Sequence, residues 1–375
     1  MIANRCHNAA MSDSPQVIEI DPDITIARTL PARVYSDPAV FVAARERLFA
    51  RSWQLAADQE AVRTPQQAHP FSFMEGYLDE PLLLTRDGDD RLHCLSNVCT
   101  HRGTIVVAEP CRSAHLRCPY HGRRFGLDGR FQSMPEFEQT KNFPTEADNL
   151  PRVPFAPWGR WIFASLKPAF SFDDLTRDMQ ARIGWLPLNQ FVHDSARCRD
   201  YLVKANWALY VENYLEGFHI PFVHAGLNAV IDYGQYATEL YRYGNLQVGV
   251  AKSGEDCFDL PRESPDHGRN VAAYYFWILP NMMFNFYPWG LSINIVRPLQ
   301  VNLTKVSFIT YVWRPERLDR GAGAMLDRVE REDEAVVECV QRGMQSRLYE
   351  RGRYSPTREQ GVHQFHRLLA EFLND

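Results

Sequence analysis

The chain has 375 residues, enough for two domains and a sizeable core, and its 41 basic and 46 acidic residues leave a formal net charge of −5. The signs are interspersed and no basic block occurs, which argues against nucleic acid or an anionic membrane as a partner. No apolar run approaches the length of a membrane span, and aromatic residues, 12% of the chain, gather late in it.

The N-terminal stretch to residue 35 reads as extended. It has no signal-peptide core, and Met11 offers a second start, so the first ten residues are expected to be dispensable. Ser36-Asp37-Pro38 then reads as a helix start, with Ser36 as the N-cap and Pro38 in the first turn, and the apolar spacing from Val40 to Phe49 carries a helix to about Arg51. From Trp53 to Lys167 the texture changes to short β-like runs broken by turns. Leu82-Leu83-Leu84-Thr85 before Asp87-Gly88-Asp89-Asp90 signals one hairpin, and Leu127-Asp128-Gly129-Arg130-Phe131 another. Val153 to Leu166 closes this all-β region.

Inside the β region lies the most informative stretch. Cys99-Thr100-His101-Arg102-Gly103 is followed, after fourteen residues, by Cys118-Pro119-Tyr120-His121-Gly122. Each half supplies one thiol and one imidazole from what reads as a tight loop at a hairpin tip. Two thiolates and two neutral imidazoles are the ligand set of a Rieske [2Fe–2S] centre, in which two Cys hold one iron and two His the other. Neutral ligands raise the potential of such a centre, to roughly −150 mV and above. Structural zinc also takes Cys2His2 sets, but as Cys pairs followed by His pairs; here each half mixes the two, and a glycine follows each histidine closely. The other cysteines (Cys6, Cys94, Cys111, Cys198, Cys257, Cys339) fit neither a ligand nor a disulfide pattern. They read as buried or idle thiols in a reducing compartment, so a cytoplasmic location is expected.

These residues carry a resemblance. Cys99, His101, Arg102, Gly103, Cys118, Tyr120, His121 and Gly122 match the C-x-H-R-G and C-x-Y-H-G halves found in the large (α) subunits of Rieske non-haem iron ring-hydroxylating oxygenases, and no extra cysteine of the respiratory-chain type follows either histidine. The resemblance implies an α+β chain: an all-β Rieske domain over residues 51–167, and a catalytic domain over 168–375 with an antiparallel sheet and long helices of the helix-grip type. Residues 1–50 would pack on the catalytic domain.

Ser171 to Leu186 reads as a helix with Asp173 and Asp174 in its first turn. After it, residues 206–224 read NWALYVENYLEGFHIPFVH. Glu212, Glu216 and His219 fall at i, i+4 and i+7, so they are expected on one helix face, and Pro221 is expected to end that helix just after His219. His224 then turns back towards His219. Two histidines and one carboxylate on one face are what a mononuclear Fe(II) oxygenase site requires. A lone H-x4-H is a weak signal, strengthened here by the motif upstream. Asn213, Glu216, Phe218, His219 and His224 lie in register with the second motif of the family. The resemblance implies that the carboxylate comes from a late helix, read here over 324–348, with Asp333 as the candidate and Glu332 and Glu334 as its competitors. It also implies catalytic duty for Asn213 and Glu216, the latter between the cluster of one subunit and the iron of the next. Most members carry Asp at that place; the branch acting on quaternary ammonium and betaine-like substrates carries Glu.

Ala272 to Val296 reads as two or three antiparallel strands, with another over Thr304 to Trp313. Phe284, Phe286, Tyr287 and Trp289 are candidates to line a cavity, where aromatic faces hold a cation, or to fill the sheet core. Gly361 to Leu373 reads as a terminal helix whose His363 and His366 serve structure.

The resemblance implies the terminal component of a mono- or dioxygenase, using O2 and the [2Fe–2S] cluster with a mononuclear Fe(II) to hydroxylate or N-demethylate a small organic substrate. Aromatic-acid or arene hydroxylation is the alternative, and a Rieske electron carrier without oxygenase activity the alternative from another class. No flavin or nicotinamide fingerprint occurs, so electrons are expected from a separate NAD(P)H-dependent reductase or a ferredoxin. A ring of subunits, a homotrimer, is implied.

Overall fold

The computed structural model of the protein describes residues 17–375, so the Met11 start and Cys6 lie outside the described residues. From residue 17 the chain runs irregularly to a tight turn at Ala32–Tyr35. It is tied to the opposite end of the sequence: the Ile18 N–H donates to Asn374 Oδ1 at 3.0 Å, and Arg28 bridges Arg353. The first helix, α1 (Pro38–Arg47), is capped by Asp37 and not by Ser36. The Ser36 N–H closes the preceding turn on the Arg33 carbonyl. One residue on, the Asp37 carboxylate accepts from the Ala39 N–H at 2.8 Å, with Pro38 at the first helical position. The α-helix ends at Arg47, earlier than its apolar spacing suggests, because Leu48 and Phe49 turn fully into the core.

Ten strands follow: β1 (Gln54–Asp58), β2 (Gln67–Phe73), β3 (Glu80–Arg86), β4 (Leu92–Ser96), β5 (Cys111–Arg112), β6 (Leu116–Arg117), β7 (Arg124–Phe125), β8 (Phe131–Ser133), β9 (Phe155–Trp158) and β10 (Trp161–Ala164). They form a sheet β4-β3-β2-β5, a sheet β6-β7-β8 and a sheet β1-β10-β9, all antiparallel. Both expected hairpins are present. Asp87 Oδ1 accepts from the N–H groups of Asp89 and Arg91 to close β3–β4, and Gly129, at φ +84°, turns β7 into β8. Leu83, Leu95, Val106, Leu116, Phe125 and Leu127 make a small core of their own together with Cys99 and Cys118. The β9–β10 hairpin does otherwise: Trp158, Trp161 and Phe163 leave that small core and pack their rings on Phe284.

After α2 (Phe172–Ile183), capped by Ser171, come β11 (Val192–His193), β12 (Arg199–Val203), α3 (Trp207–Tyr214), α4 (Ile220–Val223), α5 (Ala225–Val230), β13 (Ala237–Tyr241), β14 (Gly244–Val250), β15 (Val271–Ile278), β16 (Met282–Tyr287), β17 (Gly290–Gln300), β18 (Leu303–Val312), α6 (Leu326–Gly343) and α7 (Gln360–Asn374). The strands form one sheet in the order β11-β18-β17-β16-β15-β14-β13, with β12 also paired to β18. Successive side chains of a strand point to opposite faces. Tyr274, Phe276, Phe284 and Phe286 enter the large core, whereas Tyr275 and Tyr287 cluster elsewhere, with Ile231 and Trp289. The terminal helix α7 packs on the sheet through Phe365 against Trp277 and on α3 through Phe365 against Trp207. Its His363 Nε2–H donates to the Asp21 carbonyl at 2.7 Å, and His366 meets Tyr354 and Glu212, so both are engaged in tertiary contacts away from the pocket.

Candidate active site and cluster loops

The segments Cys99–Gly103 and Cys118–Gly122 have the same backbone plan. In each, the glycine N–H donates to the cysteine carbonyl (3.0 and 3.1 Å), and the cysteine N–H donates to the carbonyl just past the glycine, Thr104 or Arg123, at 2.8 Å. Gly103 and Gly122 sit at φ +73° and +75°, a region other residues enter at a cost. The two loops bring the His101 and His121 rings to 4.8 Å between centroids and both cysteines into the small core. Burial and the neighbouring Cys118 push the Cys99 thiol up, while burial and His121 hold His101 below its ordinary value. The His121 Nδ1 is buried with no hydrogen-bond partner. Two thiols and two neutral imidazoles, one with an unspent ring nitrogen, fit the donor set of a Rieske [2Fe–2S] cluster.

One residue fastens both loops. The Asp148 carbonyl accepts from the Thr100 hydroxyl of the first loop at 2.8 Å and from Arg123, just past the second, at 3.1 Å; the Asp148 carboxylate accepts from Arg123 at 2.7 Å. Arg123 is only 2% exposed and lies over the rings of Phe125, Phe131 and Phe143.

The second site departs locally from the expected helix. Helix α3 ends at Tyr214, so Glu216 is off the helix and the shared face with Glu212 and His219 is not realised. Gly217 explains the early end: any Cβ there would lie 2.5 Å from the Tyr236 ring, so the backbone follows a path only glycine fits. Pro221 does not terminate the first helix; it sits in the first turn of α4, where its missing N–H costs nothing. The Glu216 carboxylate therefore caps this new turn. It accepts from the N–H groups of Phe218 and His219 and meets His219 Nδ1 at 2.6 Å.

His224 lies at the α4–α5 junction, buried, and Asp333 in the middle of α6. His219 Nε2 and His224 Nε2 are 3.1 Å apart; Asp333 Oδ1 is 3.0 Å from the latter and 3.5 Å from the former. These three donor atoms lie close enough together to hold one metal ion. Each imidazole gives its other nitrogen to a carboxylate, His219 to Glu216 and His224 to Glu332 at 2.8 Å. With Nδ1–H donated outward, both Nε2 lone pairs face Asp333, the tautomers a metal needs. The donor set and its supports fit a mononuclear iron. Burial opposes charge on His224, but Asp333 and Glu332 outweigh it and hold the imidazole above its ordinary value, so a metal there competes with a proton. The three acidic neighbours on α6 are thereby sorted: Asp333 faces the imidazoles, Glu332 holds His224 from behind, and Glu334 pairs with Arg331. Asn213 donates to Asp333 Oδ1 at 2.6 Å.

Above the three donors lies a cavity of about 100 Å³. Its lining includes Tyr210, Tyr214, Tyr236, Tyr275 and Tyr287 together with Asn285 and Gln247. Gln247, Tyr275 and Asn285 are one cross-strand row of β14, β15 and β16. Of the four aromatics picked out in the sequence only Tyr287 lines it. Phe284 and Phe286 point to the other sheet face, and Trp289 stacks behind Tyr287 at 5.2 Å. Burial keeps the hydroxyls of Tyr214, Tyr236 and Tyr287 protonated, with pKa values well above the ordinary one. Reading those tyrosines from sequence required the strand parity, which a run buried on both faces hides.

This geometry agrees with what the chain is similar to. The family described as "Rieske [2Fe-2S] domain" matches residues 52–144, and "Ring hydroxylating alpha subunit (catalytic domain)" matches residues 184–375. The chain belongs to the Rieske ring-hydroxylating oxygenase α-subunit family, oxidoreductases with a [2Fe–2S] cluster in the first domain and non-haem iron in the second. It is 31% identical to chloroplastic choline monooxygenase of Arabidopsis thaliana, covering 97% of this chain and 89% of the relative. With the carnitine monooxygenase oxygenase subunit of Escherichia coli (strain K12) it shares 28% identity over 93% of this chain and 95% of that one. In fold it is similar to a quaternary ammonium Rieske monooxygenase, CntA, crystallised with an inhibitor (TM-score 0.75, 23% identity, 95% and 99% covered). It is also similar to naphthalene 1,2-dioxygenase with indole bound (TM-score 0.68, 17% identity, 93% and 92% covered). Among the described residues no helix is long and apolar enough to cross a membrane.

Proposed function

We propose that the protein is a monooxygenase that hydroxylates a small quaternary ammonium or N-methyl compound. The observation that carries this reading is the set of five tyrosines, Tyr210, Tyr214, Tyr236, Tyr275 and Tyr287, that line one cavity with His219, His224 and Asp333, with no lysine or arginine among the lining residues. A tyrosine face attracts a cation by about 0.5–1 kcal/mol where exposed and by about 2 kcal/mol when desolvated. The choline and carnitine monooxygenases it is similar to are named for substrates of this class.

In this reading Cys99, His101, Cys118 and His121 hold the cluster, and His219, His224 and Asp333 hold the iron. Together the two centres supply electrons and O2 activation. The residues around them position. Glu216 and Glu332 fix the imidazoles, Asn213 fixes Asp333, and the tyrosines hold the ammonium with one N-methyl or neighbouring carbon turned towards the metal. One oxygen atom enters a C–H bond; the other, with two electrons and two protons, leaves as water. Hydroxylation at an N-methyl carbon gives a carbinolamine-type product that releases formaldehyde, hence N-demethylation.

Electrons come from a separate reductase or ferredoxin, and Glu216 links the cluster of one subunit to the iron site of its neighbour in a homotrimer. Exposed aromatics at both places support that contact: Tyr120 at the cluster loop, and Phe218 and Phe222 beside Glu216. The seven described cysteines are free, in keeping with a cytoplasmic location. Turnover under 18O2 with a reductase tests the reaction. The reading requires one labelled atom in the product, or in released formaldehyde, from an N-methylated ammonium substrate; two labelled atoms on an aromatic ring would replace it with ring dioxygenation.

A further inference from the structure

The cavity holds one carboxyl that the reaction as described does not use. Glu330 lies on α6 one turn before Asp333, is 2% exposed, and lines the same cavity. The Tyr210 hydroxyl, from α3, donates to its Oε2 at 2.5 Å. Its other oxygen, Oε1, is buried without a partner, and among the side chains lining this cavity it is the sole polar atom in that condition. The rest of the polar wall is spent internally. The Tyr214 hydroxyl donates to Asn285 at 2.7 Å, and that of Tyr236 to Gln247 at 3.2 Å. Buried polar atoms left open in this way call for a partner that the protein itself does not provide.

We propose that Glu330 is a specificity-determining residue: its Oε1 is the counter-charge for the cationic head group of the substrate, with Tyr210 holding Oε2 in place. This rests on the ammonium reading given above and deepens it. The tyrosine faces contribute attraction without a net charge; Glu330 is the group that makes the cavity discriminate a cation from a neutral molecule of the same shape. Burial first of all, with Asp333 and Glu334 adding to it, raises the carboxyl to about 8, against the hydrogen bond from Tyr210 and the charge of Arg331. Tyr201 of β12 is the further titratable group near it; strands β17 and β18 present Asn294 and Phe308 to the cavity, and neither titrates. The acid is thus neutral near pH 7 before the substrate arrives, which avoids a buried unpaired charge, and a bound cation favours its ionisation. Cation affinity rises as pH approaches about 8 and levels above.

The test uses holoenzyme in the absence of O2 and two probes of one shape: choline, and 3,3-dimethylbutan-1-ol, in which carbon replaces the charged nitrogen. Calorimetric titration of the wild type is expected to favour choline. Glu330→Gln is expected to weaken choline by about tenfold or more while the neutral probe moves less than about twofold, and to abolish the rise of choline affinity with pH. Titration of the iron ligands would move both probes together. The visible spectrum of the cluster reports whether the variant is folded. Should it not fold, Tyr210→Phe removes the hydroxyl on Oε2, and a loss of about threefold for choline alone is expected. Equal losses for both probes, or none, overturn the role of Glu330 and leave the ammonium reading standing. A wild type that does not prefer choline overturns that reading, and this inference with it.

Discussion

The cluster loops Cys99–Gly103 and Cys118–Gly122 are two copies of one backbone trace, each closed by hydrogen bonds within six residues. His219, His224 and Asp333 converge from the start of α4, the α4–α5 junction and the middle of α6, the second and third being 109 positions apart in sequence. The first arrangement is held by local geometry and two glycines at positive φ. The second is held by carboxylates behind the imidazoles and by the packing of α3 on α6. What differs is where the information sits, in short sequence motifs for the loops and in tertiary packing for the pocket, so substitutions should separate the two regions cleanly.

The largest effect is expected from Asp333→Ala or His224→Ala. Loss of one of three donors empties the pocket of iron and lowers turnover by about a thousandfold or more, while the visible spectrum of the cluster is unchanged. Iron analysis alongside that spectrum checks it; loss of both would mean that the two regions are not independent. Next, Asp148→Ala removes the carboxylate partner of the buried Arg123 guanidinium, while the backbone carbonyl that accepts from Thr100 and Arg123 stays in place. A loss of about 3 kcal/mol is expected in the stability of the cluster region, read as earlier thermal bleaching of the cluster with pocket iron retained. A smaller effect falls to Glu332→Gln, which keeps the shape behind His224 but not the charge; metal affinity should fall by about 10–100-fold, measured by competition with a chelator. The smallest is Gly103→Ala. Space is open around that glycine, so the cost is the backbone conformation alone, about 1 kcal/mol, visible as a modest shift in the same bleaching curve.

The same contrast explains what could be read in advance. The cluster loops are legible because ligand, spacer and glycine are adjacent in sequence, and the hairpin turns around them carry their own residue chemistry. The histidines were legible through H-x4-H, but the helix on which they were placed was not: apolar periodicity runs on through Glu216, while the chain stops at Tyr214 because Gly217 passes under the Tyr236 ring. Glu332 leaves no sequence signal apart from its competition with Asp333, since only the pitch of α6 decides which acid faces the pocket and which stands behind His224. Of the cavity tyrosines only Tyr287 is legible in the sequence, for a related reason. From Ala272 to Val296 nearly every residue is buried, so alternation gives no polar face to mark parity, and Tyr214 and Tyr236 come from outside that sheet segment. Glu330 was hidden in the charged helix that also carries Asp333, where an acid reads as a solvated residue; its burial comes from α3.

The central claim, that a cationic methylated amine is the molecule this pocket oxidises, is tested most directly by a single turnover. The cluster of the purified holoenzyme is reduced chemically, O2 is admitted, and N-methylated ammonium compounds are offered in parallel with aromatic acids. Cluster reoxidation that accelerates with the ammonium compounds, with one oxygen atom added to the product or formaldehyde released, is the predicted result. Acceleration by the aromatic acids, or by neither panel with iron present in both sites, would contradict it.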